Sequence, residues 1–290
     1  MSPSDGSPWP GRRVLAYAHQ GGAWEAPSSL LFTIRRALEA GATGIELDVH
    51  ATADRHLVVS HDATVDRTTA GTGNIAELTL ARLEELDPGY WFIPGADVTP
   101  GSPDGDYPYR GRAAGDPDFR FATLRSVLEL LADHPGVALN LDIKQTAPVV
   151  EPYEEDLARL LAEFGGTDRV IVASFLDPAT EAFARYAPDV ATSAGTTAVA
   201  AFYQAVRAGE DPAPMDHVAL QVPARMGDLV IVDQAFVDAA HRDGLAVHVW
   251  TINDEEEMAR LLGLEVDGII SDLPTTLVGL LEAKGRSYRP

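Results

Sequence analysis

Cysteine is absent from the 290 residues, so neither a disulfide nor a thiolate metal site is available. Any bound metal must sit among oxygen and imidazole ligands, which suits Mg2+, Ca2+ or Mn2+ better than zinc. Lysine is nearly absent as well, at only Lys144 and Lys284, and the formal net charge is -22. Sequence-independent nucleic-acid binding relies on lysine and arginine neutralising phosphates, so no nucleic acid is expected as a partner. The same field repels small phosphorylated molecules unless a cation is concentrated locally, which gives weight to Lys144 inside a strand-like run. No apolar run is long enough to cross a bilayer, and Met1 to Arg13 carries no apolar leader core. Stable membrane insertion is therefore not expected, and a cytoplasmic location is the default. Oligomeric state is left open.

What the chain does have is apolar patterning, with 46% hydrophobic residues, enough for one large α/β domain or two ordinary ones. Strand-like runs fall near Val14–Ala18, Gly44–Val49, Val137–Ile143, Val170–Ser174, Val190–Ser193, His217–Val222, Ala246–Thr251 and Gly268–Ser271. Helical patterns lie between them, near Ser29–Ala40, Leu124–Asp133, Glu154–Phe164, Pro178–Tyr186, Thr197–Ala208, Gln234–Asp243, Glu255–Leu262 and Thr275–Glu282. Eight strands alternating with eight helices predict a single α/β domain, residues 1–290, folded as a (β/α)8 TIM barrel. Residues from about 62 to 121 break the rhythm with a Gly, Pro, Asp and Tyr-rich stretch holding Tyr90, Trp91, Phe92, Tyr107, Tyr109 and Phe119. This reads as a cap inserted after the second strand, its aromatics divided between a small core of its own and a lid.

Side chains alternate faces along a strand, so in Gly44-Ile45-Glu46-Leu47-Asp48-Val49 the two acids share one face and the apolar residues the other. Such a pair repels itself and is costly to desolvate unless a cation or protons compensate, which leaves a metal site, an acid/base dyad or a simple turn cap. Asn140-Leu141-Asp142-Ile143-Lys144 repeats the pattern. Asp142 can complete a three-carboxylate site with Glu46 and Asp48, and Lys144 can place a positive charge beside it; the structural alternative is an Asp142–Lys144 ion pair. His19 and His61 each end an apolar run and are candidates for proton transfer. In a barrel of this type the C-terminal strand ends carry the site, which gathers His19, Glu46, Asp48, Asp142, Lys144, Trp250 and Asp272 at one rim. His50 reads as a support behind the acids or as loop. His56, His134, His217 and His241 read as surface residues, and His248 faces the interior with no assigned role.

These residues, taken in order, resemble the glycerophosphodiester phosphodiesterase family. The resemblance runs from about Val14 to Pro274: His19-x-Gly21-Gly22, Gly44-x-Glu46-Leu47-Asp48-Val49, Val58-Val59-x-His61-Asp62, Asp66-Arg67-Thr68-Thr69, Gly71-Thr72-Gly73, Leu86-Asp87-x-Gly89 and Phe121-Ala122-Thr123-Leu124. It continues through Asn140-x-Asp142-Ile143-Lys144, Val249-Trp250-Thr251-Ile252-Asn253 and Gly268-Ile269-Ile270-Ser271-Asp272-x-Pro274. The resemblance implies a divalent cation, Mg2+ or Ca2+ or else Mn2+, on Glu46, Asp48 and Asp142, with His19 and His61 as general acid and base. Gln20, Lys144 and Trp250 are then the substrate-binding residues. The implied reaction is hydrolysis of glycerophosphodiesters to glycerol 3-phosphate and an alcohol. The alternatives are lysophospholipase D-like cleavage of a lysophospholipid, and a silent barrel that binds phosphorylated ligands.

Three positions depart from the family pattern: Gln20 in place of arginine, Ser28-Ser29-Leu30 in place of Glu-Asn-Thr, and Asp142 in place of glutamate. Gln20 can donate hydrogen bonds to phosphate but brings no charge, so anion binding shifts toward the metal and Lys144. Ser28 or Ser29 is expected to cap the helix that follows.

Overall fold

The computed structural model describes residue 9 and residues 13–96, 98–144, 152–286 and 288–289; most of the amino-terminal stretch read for a leader lies outside them. Eight parallel strands close on themselves: β1 (Leu15–His19), β2 (Gly44–Ala51), β4 (Ala138–Ile143), β5 (Val170–Ala173), β6 (Ala191–Ala194), β7 (Ala219–Pro223), β10 (Ala246–Trp250) and β11 (Gly268–Ser271). Pairing of β1 with both β2 and β11 seals the ring. Two short strand pairs lie outside the ring. β3 (Leu57–Val59) runs antiparallel to the end of β2, and β8 (Arg225–Met226) with β9 (Leu229–Val230) forms a hairpin after β7.

The crossovers are α1 (Leu31–Ala40), α3 (Leu124–Ala132), α4 (Glu154–Phe164), α5 (Asp177–Tyr186), α6 (Thr196–Ala208), α7 (Gln234–Arg242), α8 (Glu255–Gly263) and α9 (Pro274–Ala283), with one turn, α2 (Leu80–Leu83), in the insertion. Their starts follow local chemistry. Thr123, Asp233 and Asp254 accept from the backbone N–H groups of Ser126, Phe236 and Glu257, while Pro178 and Pro274 occupy first-turn positions where no N–H is needed. The expected serine cap on α1 is not formed. Leu30 is the extended residue before that helix, no side chain caps it, and Ser29 sits at φ 60 with its N–H donated to the Gln20 carbonyl.

Two apolar shells lie between strands and helices, and the barrel interior holds its own set: Leu15, Tyr17, Ala138, Ile171, Ala219, Ala246 and Ile270. This closed bottom is why polar groups at the strand ends face a shallow mouth and not a pore. Burying each such large apolar side chain contributes about 1.5–3 kcal/mol. Gly44 is required by this packing, since a Cβ there would stand 2.3 Å from Cδ1 of Tyr17.

His248 is packed inside the barrel, fully buried, with its ring 5.2 Å from that of Tyr17 and 6.3 Å from that of Trp9. Burial pushes its imidazole down to about 4, a weak pull upward from Asp267 notwithstanding. The unfolded chain therefore takes up this proton first as pH falls, so the neutral core is fully stable above about pH 6.5 and loses stability down to about pH 4. The loss amounts to about 3 kcal/mol. Urea midpoints at pH 7.5 and pH 5 are expected to differ less for His248→Leu than for the wild type; an equal pH response in both would show that His248 titrates normally.

Candidate active site

Register sets the site. His19 on β1 lies opposite Glu46 on β2, and Asp48 on β2 lies opposite Asp142 on β4, so the acids stack at the C-terminal end of neighbouring strands. All three acids are buried. Lys144, the residue after β4, reaches back and places Nζ 3.0 Å from Asp48 Oδ1 and 3.0 Å from Asp142 Oδ2. The Asp142–Lys144 ion pair given as the structural alternative therefore exists and also extends to Asp48 on β2. Burial raises the Glu46 and Asp142 carboxyls well above their ordinary range, each helped by repulsion from Asp48; Lys144 holds Asp142 back in part. Burial works against the Lys144 ammonium, but Asp48 and Asp142 overcome it and hold the charge on.

Among the described residues, no group of three or more histidine, aspartate or glutamate side chains stands ready-made around a metal position. The chemistry of the donors nevertheless fits a hard cation. Asp48 Oδ2 and Asp142 Oδ1 are buried carboxylate oxygens without hydrogen-bond partners, and a desolvated acid cluster backed by one ammonium is short of positive charge.

Each of the two histidines is held by an aspartate through Nδ1. His19 Nδ1 donates to Asp272 Oδ1 at 2.6 Å, and His61 Nδ1 donates to Asp62 Oδ1 at 2.7 Å. A carboxylate can only accept, so this bond fixes the tautomer and leaves Nε2 of each ring for proton exchange. The rings face each other nearly edge-on, 6.1 Å between centroids, and His19 Nε2 is 3.8 Å from Glu46 Oε2. Burial pulls His19 down, but its bond to Asp272 and the charges of Glu46, Asp272 and Asp48 outweigh that and raise it to about 9.

The supporting aspartates differ. Asp272 receives Nδ2–H of Asn253 at 2.7 Å and donates its own N–H to Asn253 Oδ1 at 2.9 Å. Asp62 receives Nε–H of Arg67 at 2.5 Å; burial alone would raise its carboxyl, but the bonds from His61 and Arg67 hold it far below the ordinary range. The hairpin of β2 and β3 delivers His61, since Ser60 N–H donates to the Asp48 carbonyl at 3.0 Å.

Beside the histidines opens a cavity of about 390 Å3 whose walls include Gln20, Trp24, Ser28, Arg67, Phe92 and Asp272. Gln20 takes a left-handed backbone, φ 51, at the start of the Gly21-Gly22 turn, which lets its N–H donate to Glu46 Oε2 at 3.2 Å while its amide stands 3.3 Å from His19 Nε2. Gln20 and Ser28, at two of the variant positions, thus share one cavity. Trp250 is not on its walls; it stands at the end of β10, edge-on to Phe175 at 5.5 Å, and Phe175 in turn lies 5.3 Å from Lys144 Nζ. The insertion contributes Asp62, Arg67, Thr68, Pro88, Phe92 and Val98 to the cavity, and Tyr107 and Phe119 are buried within it. Tyr90, Trp91 and Tyr107 surround the Arg110 guanidinium at 4.1, 4.9 and 3.9 Å.

Sequence reasoning placed Asp272 at the rim without a partner and assigned no role to Asp62, Arg67 or Asn253. The His61-Asp62 dipeptide carried a signal for one pair, whereas Asp272 becomes a partner of His19 only through barrel closure, across 253 positions of sequence. His50 is buried at the end of the acid strand, and His217, read as surface, is half-buried and bonded to Thr192 Oγ1 at 2.9 Å.

Residues 19–276 match the model of the Glycerophosphoryl diester phosphodiesterase family. A protein of Caldanaerobacter subterraneus subsp. tengcongensis named glycerophosphodiester phosphodiesterase is 32% identical over 275 residues, covering 94% of this chain and 100% of that protein. A glycerophosphodiester phosphodiesterase of Bacillus subtilis is 27% identical, covering 90% of this chain and 84% of its own. Among solved structures, a phosphodiesterase of Oleispira antarctica in complex with the product sn-glycerol-3-phosphate superposes with TM-score 0.72 at 23% identity, covering 93% of this chain and 97% of that one, a likeness of fold. Matched over nearly its whole length, the chain belongs to the glycerophosphoryl diester phosphodiesterase family and is an enzyme of that class.

Proposed function

We propose that the protein hydrolyses glycerophosphodiesters to glycerol 3-phosphate and an alcohol, with a divalent cation and with His19 and His61 exchanging the protons. The observation that carries this reading is the pair of aspartate-held imidazoles facing each other beside a buried three-acid cluster. A cation held by Glu46, Asp48 and Asp142 would polarise the phosphoryl oxygens as a Lewis acid. The protein supplies the rest. Lys144 offsets charge on the phosphoryl group, and the amide of Gln20 offers a neutral donor beside His19. One histidine takes the proton of the attacking oxygen at Nε2. The other, protonated, gives its Nε2 proton to the departing alkoxide, a poor leaving group without it. The bond from the attacking oxygen to phosphorus forms as the bond to the alcohol oxygen breaks.

The deciding measurement is release of glycerol 3-phosphate from glycerophosphocholine with Mg2+, Ca2+ or Mn2+, before and after exhaustive chelation. Turnover with an added cation and its loss on chelation are expected. Absence of turnover with every cation would sink the substrate assignment, and undiminished turnover after chelation would sink the metal.

A further inference from the structure

A phosphodiester and the phosphomonoester it becomes differ by one negative charge, because breaking the ester frees a second oxygen to ionise. The charge balance around the site therefore bears on product release. The carboxylates of Glu46, Asp48, Asp142, Asp62 and Asp272 stand there. Among the described residues, the fixed cations that meet them are Lys144, on Asp48 and Asp142, and Arg67, on Asp62. Both are already engaged by carboxylates. A divalent cation and one protonated histidine, which the proposed reaction needs, bring these groups to neutrality and no further. A monoanionic diester thus meets no surplus of positive charge, and a dianionic monoester adds a second charge that nothing offsets.

Gln20 stands where such a surplus could be placed. Its side-chain amide is 3.3 Å from His19 Nε2, the atom that exchanges the proton, so an oxygen bound at Nε2 also meets the amide. Its backbone N–H donates to Glu46 Oε2 at 3.2 Å, and with Ser28 it lines the cavity beside the histidines. The turn holds it there: Gln20 is buried at φ 51 and is followed by Gly21 at φ 80 and Gly22 at φ 112. An amide in this place attracts monoanion and dianion through a dipole, where a guanidinium would favour the dianion by a full charge. We propose that Gln20 is a specificity-determining residue for the charge of the phosphoryl group: its neutral amide keeps the dianionic product from binding more tightly than the monoanionic substrate, so that the phosphomonoester leaves readily. This rests on the phosphodiesterase reading of the site and adds product release to it.

The test uses the cation-loaded enzyme hydrolysing glycerophosphocholine, with methyl phosphate and dimethyl phosphate as competitive inhibitors at fixed free cation. At about pH 8 the first is a dianion and the second a monoanion, since the second ionisation of a phosphate monoester lies near about 6. In the wild type the two Ki values should lie within about threefold of each other. Gln20→Arg keeps an unbranched side chain in the same turn and should tighten methyl phosphate about tenfold more than dimethyl phosphate. Gln20→Met has no donor and should weaken both alike, by about tenfold, with their ratio unchanged. Thermal melts check the fold of each variant. A wild type that binds methyl phosphate about ten times more tightly than dimethyl phosphate, or a folded Gln20→Arg with the wild-type ratio, would overturn the assignment and leave the phosphodiesterase intact. So would unchanged Ki values in Gln20→Met, which would put the amide out of reach of the phosphoryl group. Were neither variant to fold, the wild-type ratio alone would decide. No turnover of glycerophosphocholine with any cation would remove the underlying reading, and the assignment with it.

Discussion

Alanine at His61 is expected to lower kcat for glycerophosphocholine by about a thousandfold, with KM and melting temperature nearly unchanged. The side chain is two-fifths exposed, and its aspartate is not stranded by the loss, because Asp62 keeps the Arg67 guanidinium. Alanine at His19 is expected to cost as much, and there too the aspartate keeps partners, since Asn253 still donates to Asp272 and accepts from its N–H. The fold should therefore survive both changes while the proton path does not. Asp62→Asn makes a finer distinction. An amide can offer the imidazole a donor as well as an acceptor, so the tautomer is no longer fixed and the rate should fall by less than in His61→Ala, about 10- to 100-fold. The measurement is steady-state kinetics with a thermal melt of each variant. Either alanine variant retaining more than a tenth of the wild-type rate would remove that histidine from the chemistry.

The barrel was legible in the sequence because each strand carries its own two-residue alternation and each crossover its own helical stripe. The observed ends differ from the expected ones by a residue or two. The acid cluster was legible for the same reason: Glu46 with Asp48, and Asn140 with Asp142, share faces by alternation alone. Less visible was anything that depends on which strands become neighbours. The partner of His19 comes from the last strand, and Asp272 looks like any strand-closing acid until β1 and β11 pair. β3 is three residues long and owes its existence to the extension of β2 to Ala51, beyond the Val49 boundary that the apolar pattern marked. The serines before α1 carry a capping signal, yet the left-handed turn at Gln20, Gly21 and Gly22 recruits the Ser29 N–H and leaves Leu30 at the cap position. Tertiary demand outweighed a local preference worth about 1 kcal/mol.

Asp48→Asn is expected to reduce kcat by about a thousandfold, equivalent to about 4 kcal/mol of transition-state stabilisation, and the loss should not be recovered by excess cation. Asp48 sits between the other two acids in register, with Oδ1 bound to Lys144 and Oδ2 buried without a hydrogen-bond partner. Two roles for it predict opposite outcomes in combination with Lys144→Met. If Asp48 and Asp142 serve only as counter-charges for the ammonium, removing both Asp48 and Lys144 deletes a buried pair together. That relieves the 3–5 kcal/mol penalty of leaving one partner alone, and the double variant should then be more stable and more active than either single one. If the acids hold a cation, Lys144→Met by itself should be tolerated structurally, because the cation takes over the neutralisation, while Asp48→Asn remains inactive in either background. Titration calorimetry with Mg2+, Ca2+ and Mn2+ supplies a readout independent of turnover, with binding expected in the wild type and in Lys144→Met and weakened strongly in Asp48→Asn. Rescue of activity in the double variant, without cation binding in the wild type, would make the cluster a salt bridge and end the metal reading.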